Sequence, residues 1–152
     1  MRQGEKGFTL IEMLIALAIG SIVIGGIYSS IYQTYRLSTV SENSILVINQ
    51  LENAGNLIRR DGMQATSVSF TANSLTLSWN YSTYGQGTHT IVYTRTGTNL
   101  TRKDNAGSPV VVARNITVFT VASGYSVTMT ASTSGFAPVS RTLTYYFKPR
   151  LL

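Results

Sequence analysis

An α+β fold is expected, a long N-terminal helix packed on an antiparallel β-sheet, and three features of the sequence predict it. No proline occurs before Pro109, so nothing interrupts a helix through the first third of the chain. Apolar residues recur there at three- and four-residue spacing as far as Ile58. Beyond Gly62 the pattern changes to alternation with period two, and residues 65–152 hold 28 of the 37 Ser and Thr residues.

Composition narrows the function before any motif is read. The 152 residues suffice for one compact domain, or for a small domain with an appendage. Only 12% are charged, about half the usual share. With no cysteine there is no thiol nucleophile, disulfide or thiolate metal site. One His and six acidic residues leave few ways to assemble acid–base or metal chemistry. No enzyme, cofactor or metal site is expected. The net charge of +6 raises the question of nucleic acid, but the seven basic residues of the C-terminal part are scattered apart from Arg102-Lys103 and the Lys148/Arg150 tail.

In chain order, the first element is the apolar run. Met13 to Tyr35 is 23 residues without a charge, and a bilayer core needs about 20 as a helix. Arg2 and Lys6 precede it, which keeps the N-terminus cytoplasmic and sends the C-terminal bulk across. The run is too long for a secretory signal peptide, and the residues after Ile27 stay helical in pattern. Glu12 at its start either reaches the membrane surface or meets a partner, because an acid buried in lipid is costly.

Gly7-Phe8-Thr9-Leu10-Ile11-Glu12, with basic residues before it and an apolar helix after it, resembles the N-terminal signature of bacterial type IV pilins and type II secretion pseudopilins. The resemblance covers roughly residues 1–30. It implies that a prepilin peptidase cuts between Gly7 and Phe8 and methylates the new amine of Phe8. It further implies that Glu12 pairs with the Phe8 ammonium of a neighbouring subunit as the apolar helices pack into a filament. Such a pair fixes axial register, since a wrong offset leaves both charges unpaired in an apolar setting. The implied partners are the peptidase/methylase, other copies and other pilin subunits, and inner-membrane lipid before assembly. The implied course runs from a single-pass inner-membrane precursor to an extracellular or periplasmic filament. Many family members carry a kinking proline in the apolar segment. Here Gly20, Gly25 and Gly26 are the weak points, with Gly25-Gly26 the place for a bend.

The expected organisation is a leader over 1–7, a transmembrane and assembly helix over 8–35, an amphipathic continuation over 36–62 and a β-rich domain over 63–152. Tyr28, Tyr32 and Tyr35 share one helical face and suit a membrane interface or a helix contact. Ile31, Tyr35, Ile45, Ile48, Leu51, Gly55 and Ile58 form the stripe expected to cover the sheet between about Ile45 and Ile58, and Asp61-Gly62 is the stop. The stretch from Glu52 to Gln64, with Leu57, Arg59, Arg60 and Asp61, is similar to the helix end of minor pilins and the J-type pseudopilin.

Strands are expected over 66–72 with Val68 and Phe70 inward, 74–80 with Leu75, Leu77 and Trp79, and 90–94 with Ile91 and Tyr93. Three more follow over 115–121, 125–131 and 141–147. Ala72-Asn73-Ser74 and Ser123-Gly124 read as hairpin turns, and 84–88 and 103–109 as loops. His89 is expected at a solvated edge, Trp79 in the core, and Asp104-Asn105 in a plain turn without the oxygen ligands calcium needs. Without cysteine the chain cannot close the C-terminal disulfide loop of many major pilins.

A filament subunit is the leading functional reading. The alternative is a minor tip or priming subunit whose basic β domain binds DNA or a surface. That alternative gains if Arg95, Arg102, Lys103, Arg114 and Arg141 share one face.

Overall fold

The computed structural model describes residues 7–80 and 87–150. The leader residues ahead of Gly7 and most of the loop expected from Tyr84 lie outside the described residues. The chain divides into two compact units, Met1–Thr39 and Val40–Leu152. Helix α1, Leu10–Gln64, supplies the helical residues of both.

Within the first unit α1 runs unbroken through Gly20 and Gly25-Gly26. Ser21 and Ser30 turn their hydroxyls back onto the carbonyls of Ala18 and Gly26, at 2.8 and 3.0 Å, so these polar groups are satisfied within the helix itself. The apolar side chains of this unit, from Phe8 to Leu37, are exposed.

In the second unit α1 buries Val47, Leu51, Ala54, Gly55, Ile58, Asp61 and Gly62. Successive steps of three and four residues keep these side chains on one stripe of the helix. The expected cover is therefore corrected in detail. At about 100° per residue, Ile48 falls on the margin of that stripe and Ile45 beyond it, and both remain partly exposed. Val47 and Ala54 take their places in the core.

Among the described residues eight strands follow: β1 Ser67–Thr71, β2 Ser74–Asn80, β3 Thr88–Thr96, β4 Asn99–Asp104, β5 Val110–Ala113, β6 Ile116–Ala122, β7 Ser126–Ser132 and β8 Ser140–Tyr146. They form two antiparallel meanders rather than one sheet, β1-β2-β3-β4-β5 and β6-β7-β8. Leu75, Leu77 and Trp79 of β2, Ile91 and Tyr93 of β3, and Leu100 of β4 face the helix stripe. Phe119 of β6 and Val127, Met129 and Ala131 of β7 complete the core from the second sheet. The α+β class is as expected, with the cover and the sheet each made of more pieces than the alternation showed.

Two strands escaped the sequence pattern, and each for a physical reason. In β4 only Leu100 is an inward apolar residue, because the next inward position holds Arg102. β5 is Val-Val-Val-Ala, too short and too uniform to alternate. Its place beside β4 is reinforced from the helix. Asn53 Nδ2 donates to Val112 O at 3.0 Å, and Gln50 Oε1 accepts from Arg114 N at 2.7 Å. The loop expected over 103–109 loses its first two residues to β4, and Thr88 belongs to β3 rather than to the loop before it. Val68 and Phe70 share a face as expected, but β1 is an edge strand, and Phe70 is 46% exposed.

Close approach to the helix fixes the last strand. A Cβ on Gly55 would overlap the ring of Tyr145, and one on Gly62 would overlap the ring of Phe147. Two helical turns separate these glycines, so the absence of side chains opens two seats on one face for the aromatics at the C-terminal end of the fold. Arg150 N then donates to Ala65 O at 2.9 Å, which ties the segment after β8 to the residue just past the helix.

Candidate functional site at the start of the helix

Gly7 and Phe8 precede α1 without helical structure, and Phe8 is 81% exposed. Thr9 is the residue before the first helical position, and its side chain takes up the role its type favours there. Its hydroxyl accepts from Glu12 N at 3.3 Å, and Glu12 Oε2 accepts from Thr9 N at 2.9 Å. The Thr9 hydroxyl also donates to the same carboxylate oxygen at 2.7 Å. This is a reciprocal cap of the Thr-x-x-Glu kind, which satisfies two backbone donors that a helix start leaves open. The negative charge also stands at the positive end of the helix dipole.

Sequence reasoning placed Glu12 by its cost in lipid and missed the cap. The signal was present in the spacing of Thr9 and Glu12. The cap gives Glu12 a local structural role within one subunit. A carboxylate oxygen has two lone-pair directions, and Oε1 takes no part in these hydrogen bonds. The cap therefore leaves acceptor capacity for a further donor.

The second polar constellation lies at the other end of α1. Asp61, expected only as a helix stop, is 3% exposed. Its Oδ2 accepts from Tyr93 Oη at 2.6 Å and from Arg102 Nε at 2.7 Å. Arg102 continues to Asp104 at 3.3 Å, and Asp104 meets His89 Nε2 at 3.0 Å. His89 is stacked on Trp79 with ring centroids 4.5 Å apart, so it belongs to this network rather than to a solvated edge. Burial, followed by the hydrogen bond to Asp61, pushes the Tyr93 phenol far above the usual tyrosine range. The cluster pins the helix end to β3 and β4; its geometry is that of a structural clamp.

The basic residues do not share one face. Arg102 pairs across the ladder with buried Tyr93 and turns inward to Asp61. Lys103, its neighbour in β4, takes the opposite face with Val92. Arg95 is held at a hairpin end by Asn73 Oδ1 and Gly97 O. Among the described residues, no group of three or more His, Cys, Asp or Glu is placed to hold a metal ion.

The fold and the start of the helix define a class: a membrane-anchored α+β precursor, with one helix long and apolar enough to cross a bilayer near its N-terminus and an apolar stretch in which nothing is buried. Residues 2–28 match the prokaryotic N-terminal methylation motif. With the long apolar helix, that motif supports a type IV pilin-like protein. No curated protein and no solved structure matches the chain.

Proposed function

We propose that the chain is a structural subunit of a type IV pilus-like or pseudopilus filament, cleaved after Gly7, N-methylated at Phe8 and polymerised through its apolar helix. One observation carries this reading. The methylation motif leads into a helix whose apolar residues, from Leu10 to Leu37, have no cover within the chain's own fold. Lipid supplies that cover before assembly, and neighbouring helices supply it afterwards. The exchange needs little net driving force from the hydrophobic effect, since lipid tails and helix faces are equally apolar. Direction and register must then come from polar groups, and Glu12 is the acidic residue of the first turn. Its carboxylate is oriented by Thr9 and keeps an oxygen available to the methylated amine of a neighbouring Phe8. In this role Gly7 and Phe8 are processing residues, and Phe8 and Glu12 are assembly residues.

Cap and charge pair can be separated by substitution. Gln serves the cap as Glu does, whereas Ala does not. Glu12→Gln is expected to insert in the membrane, to keep its β domain folded and to be missing from sheared filaments, as Glu12→Ala is. Filaments that incorporate Glu12→Gln as well as the wild type would reduce Glu12 to a helix cap. Sequencing of filament material is expected to start at N-methyl-Phe8, and a retained Met1 in working filaments would overturn the processing step.

A further inference from the structure

Within the second unit, the side of α1 turned away from the sheets carries acid and base with no opposite charge one turn away. At about 100° per residue, the face opposite Val47, Leu51, Ala54 and Ile58 holds Asn49, Glu52, Asn56, Arg59 and Arg60, all exposed. Charges on a solvent-facing helix are supported by opposite charges three or four places along. The residues at those distances from Glu52 are Ile48, Asn49, Gly55 and Asn56, and from Arg60 they are Asn56, Leu57, Met63 and Gln64. Among the described residues Glu52 enters no ion pair. Arg60 approaches its neighbour Asp61 at 3.5 Å through Nε, with 62% of its side chain exposed. Asp61 is already engaged at much shorter range by Tyr93 and Arg102. Glu52 and Arg60 thus present complementary charges outward at two heights on one helix.

We infer, on the filament reading above, that this face is an interaction surface between copies of the chain, with Glu52 of one copy set against Arg60 of the next. Copies anchored in one membrane and carried into one filament share a direction. At equal height, parallel copies would bring acid level with acid and arginine level with arginine. Raising one copy by eight residues, about 12 Å at 1.5 Å per residue, brings its Glu52 level with the lower copy's Arg60. Its own Arg59 and Arg60 then stand past the end of the lower helix at Gln64, so like charges separate. Glu52 and Arg60 also differ by about 80° around the helix, so the contact joins two different patches. A contact of that kind is heterologous and does not close. The lower copy's Glu52 and the raised copy's Arg60 stay open for further copies, one below and one above. An exposed pair contributes little by itself. It selects the axial step, and it recurs at every step.

The absence of cysteine makes the step measurable. Ile48 and Asn56 are also eight residues apart, lie one turn below Glu52 and Arg60, and are both exposed. In filaments of full-length Ile48→Cys/Asn56→Cys, a short bifunctional thiol reagent is expected to give a ladder of dimers, trimers and longer species. Either cysteine alone joins copies of equal height, and is expected to give severalfold less product and nothing beyond a dimer. Adding Glu52→Arg should cut the ladder severalfold. Arg60→Glu in that background should restore it, because the pair is rebuilt with its signs exchanged. Arg60→Ala, which places no new acid beside Asp61, should cut the ladder as Glu52→Arg does. Unfolding followed by Trp79 fluorescence checks the β domain of each variant. A ladder indifferent to Glu52→Arg and Arg60→Ala, no recovery on sign exchange in a folded chain, or abundant dimers from one cysteine would overturn the inference. Filaments that start at N-methyl-Phe8 and give no ladder would overturn this contact alone, whereas a chain missing from filaments would overturn the filament reading with it.

Discussion

Gly55 is the position where local helix preference and tertiary packing pull in opposite directions. Replacing Gly by Ala inside a helix is worth about 1 kcal/mol in favour of the helix. At Gly55, however, the new methyl would occupy the space of the Tyr145 ring, overlapping Cζ and both Cε atoms. An aromatic ring sandwiched between a helix and its own strand cannot yield by a few tenths of an ångström. It has to leave its seat, and overpacking of this kind costs about 1–3 kcal/mol, with the loss of ring burial added. Gly55→Ala is therefore expected to be destabilising by about 1–2 kcal/mol net. That corresponds to a fall of several degrees in the unfolding midpoint. Trp79 is the single tryptophan and is 7% exposed, so its fluorescence reports loss of this core in the detergent-solubilised chain. The decisive comparison is Gly55→Ala in a Tyr145→Ala background. With the ring gone, the same substitution should raise the midpoint, because only the helix preference is left. A higher midpoint for Gly55→Ala alone, or the same sign in both backgrounds, would refute the packing argument.

Three further outcomes follow from the same contacts. Asp61→Asn should destabilise the β domain by about 3 kcal/mol, the lower end for breaking a buried pair, since Arg102 keeps Asp104; urea unfolding followed by Trp79 fluorescence measures it. Alkaline stability should depend on Tyr93. Its phenol stays protonated in the fold while it ionises in the unfolded chain above about pH 10, so the unfolded state binds fewer protons and stability falls with rising pH. Tyr93→Phe should flatten that slope in a series of unfolding curves from about pH 9 to 11, while lowering stability at neutral pH through the lost bond to Asp61. Tyr145 Oη is buried with no hydrogen-bond partner among the described residues, so Tyr145→Phe should be neutral or stabilising by up to about 1 kcal/mol in the same melts.

Periodicity revealed what is repetitive. The apolar run, the unbroken helix and the strands with Leu75-Leu77-Trp79 or Val127-Met129-Ala131 inward all repeat a spacing, and repeated spacing survives in one dimension. What it hid were places where one residue serves a distant partner. β4 was obscured because Arg102 occupies an inward position that only a buried Asp61 makes tolerable, and Asp61 lies 41 residues earlier. Gly55 was read as part of an apolar stripe, although its value is the space it leaves for Tyr145. At the candidate site the reverse held. Gly7, Phe8 and Glu12 stood out by motif, but the cap with Thr9 had to be seen as geometry before its Thr-x-x-Glu spacing was recognised.

The seats at Gly55 and Gly62 also set an order of events for biogenesis. The groups that fill them, Tyr145 and Phe147, are made 90 and 85 residues after the glycines that seat them. Until they arrive, the buried stripe of the helix lacks part of its cover, however early the helix itself has formed. Closure over such a span of chain is slow compared with helix growth, and it leaves an apolar strip open in the interval. A chain stalled or clipped just before Tyr145 would thus be a complete membrane helix with an unfinished head, open to proteolysis at the stage when quality control can still remove it.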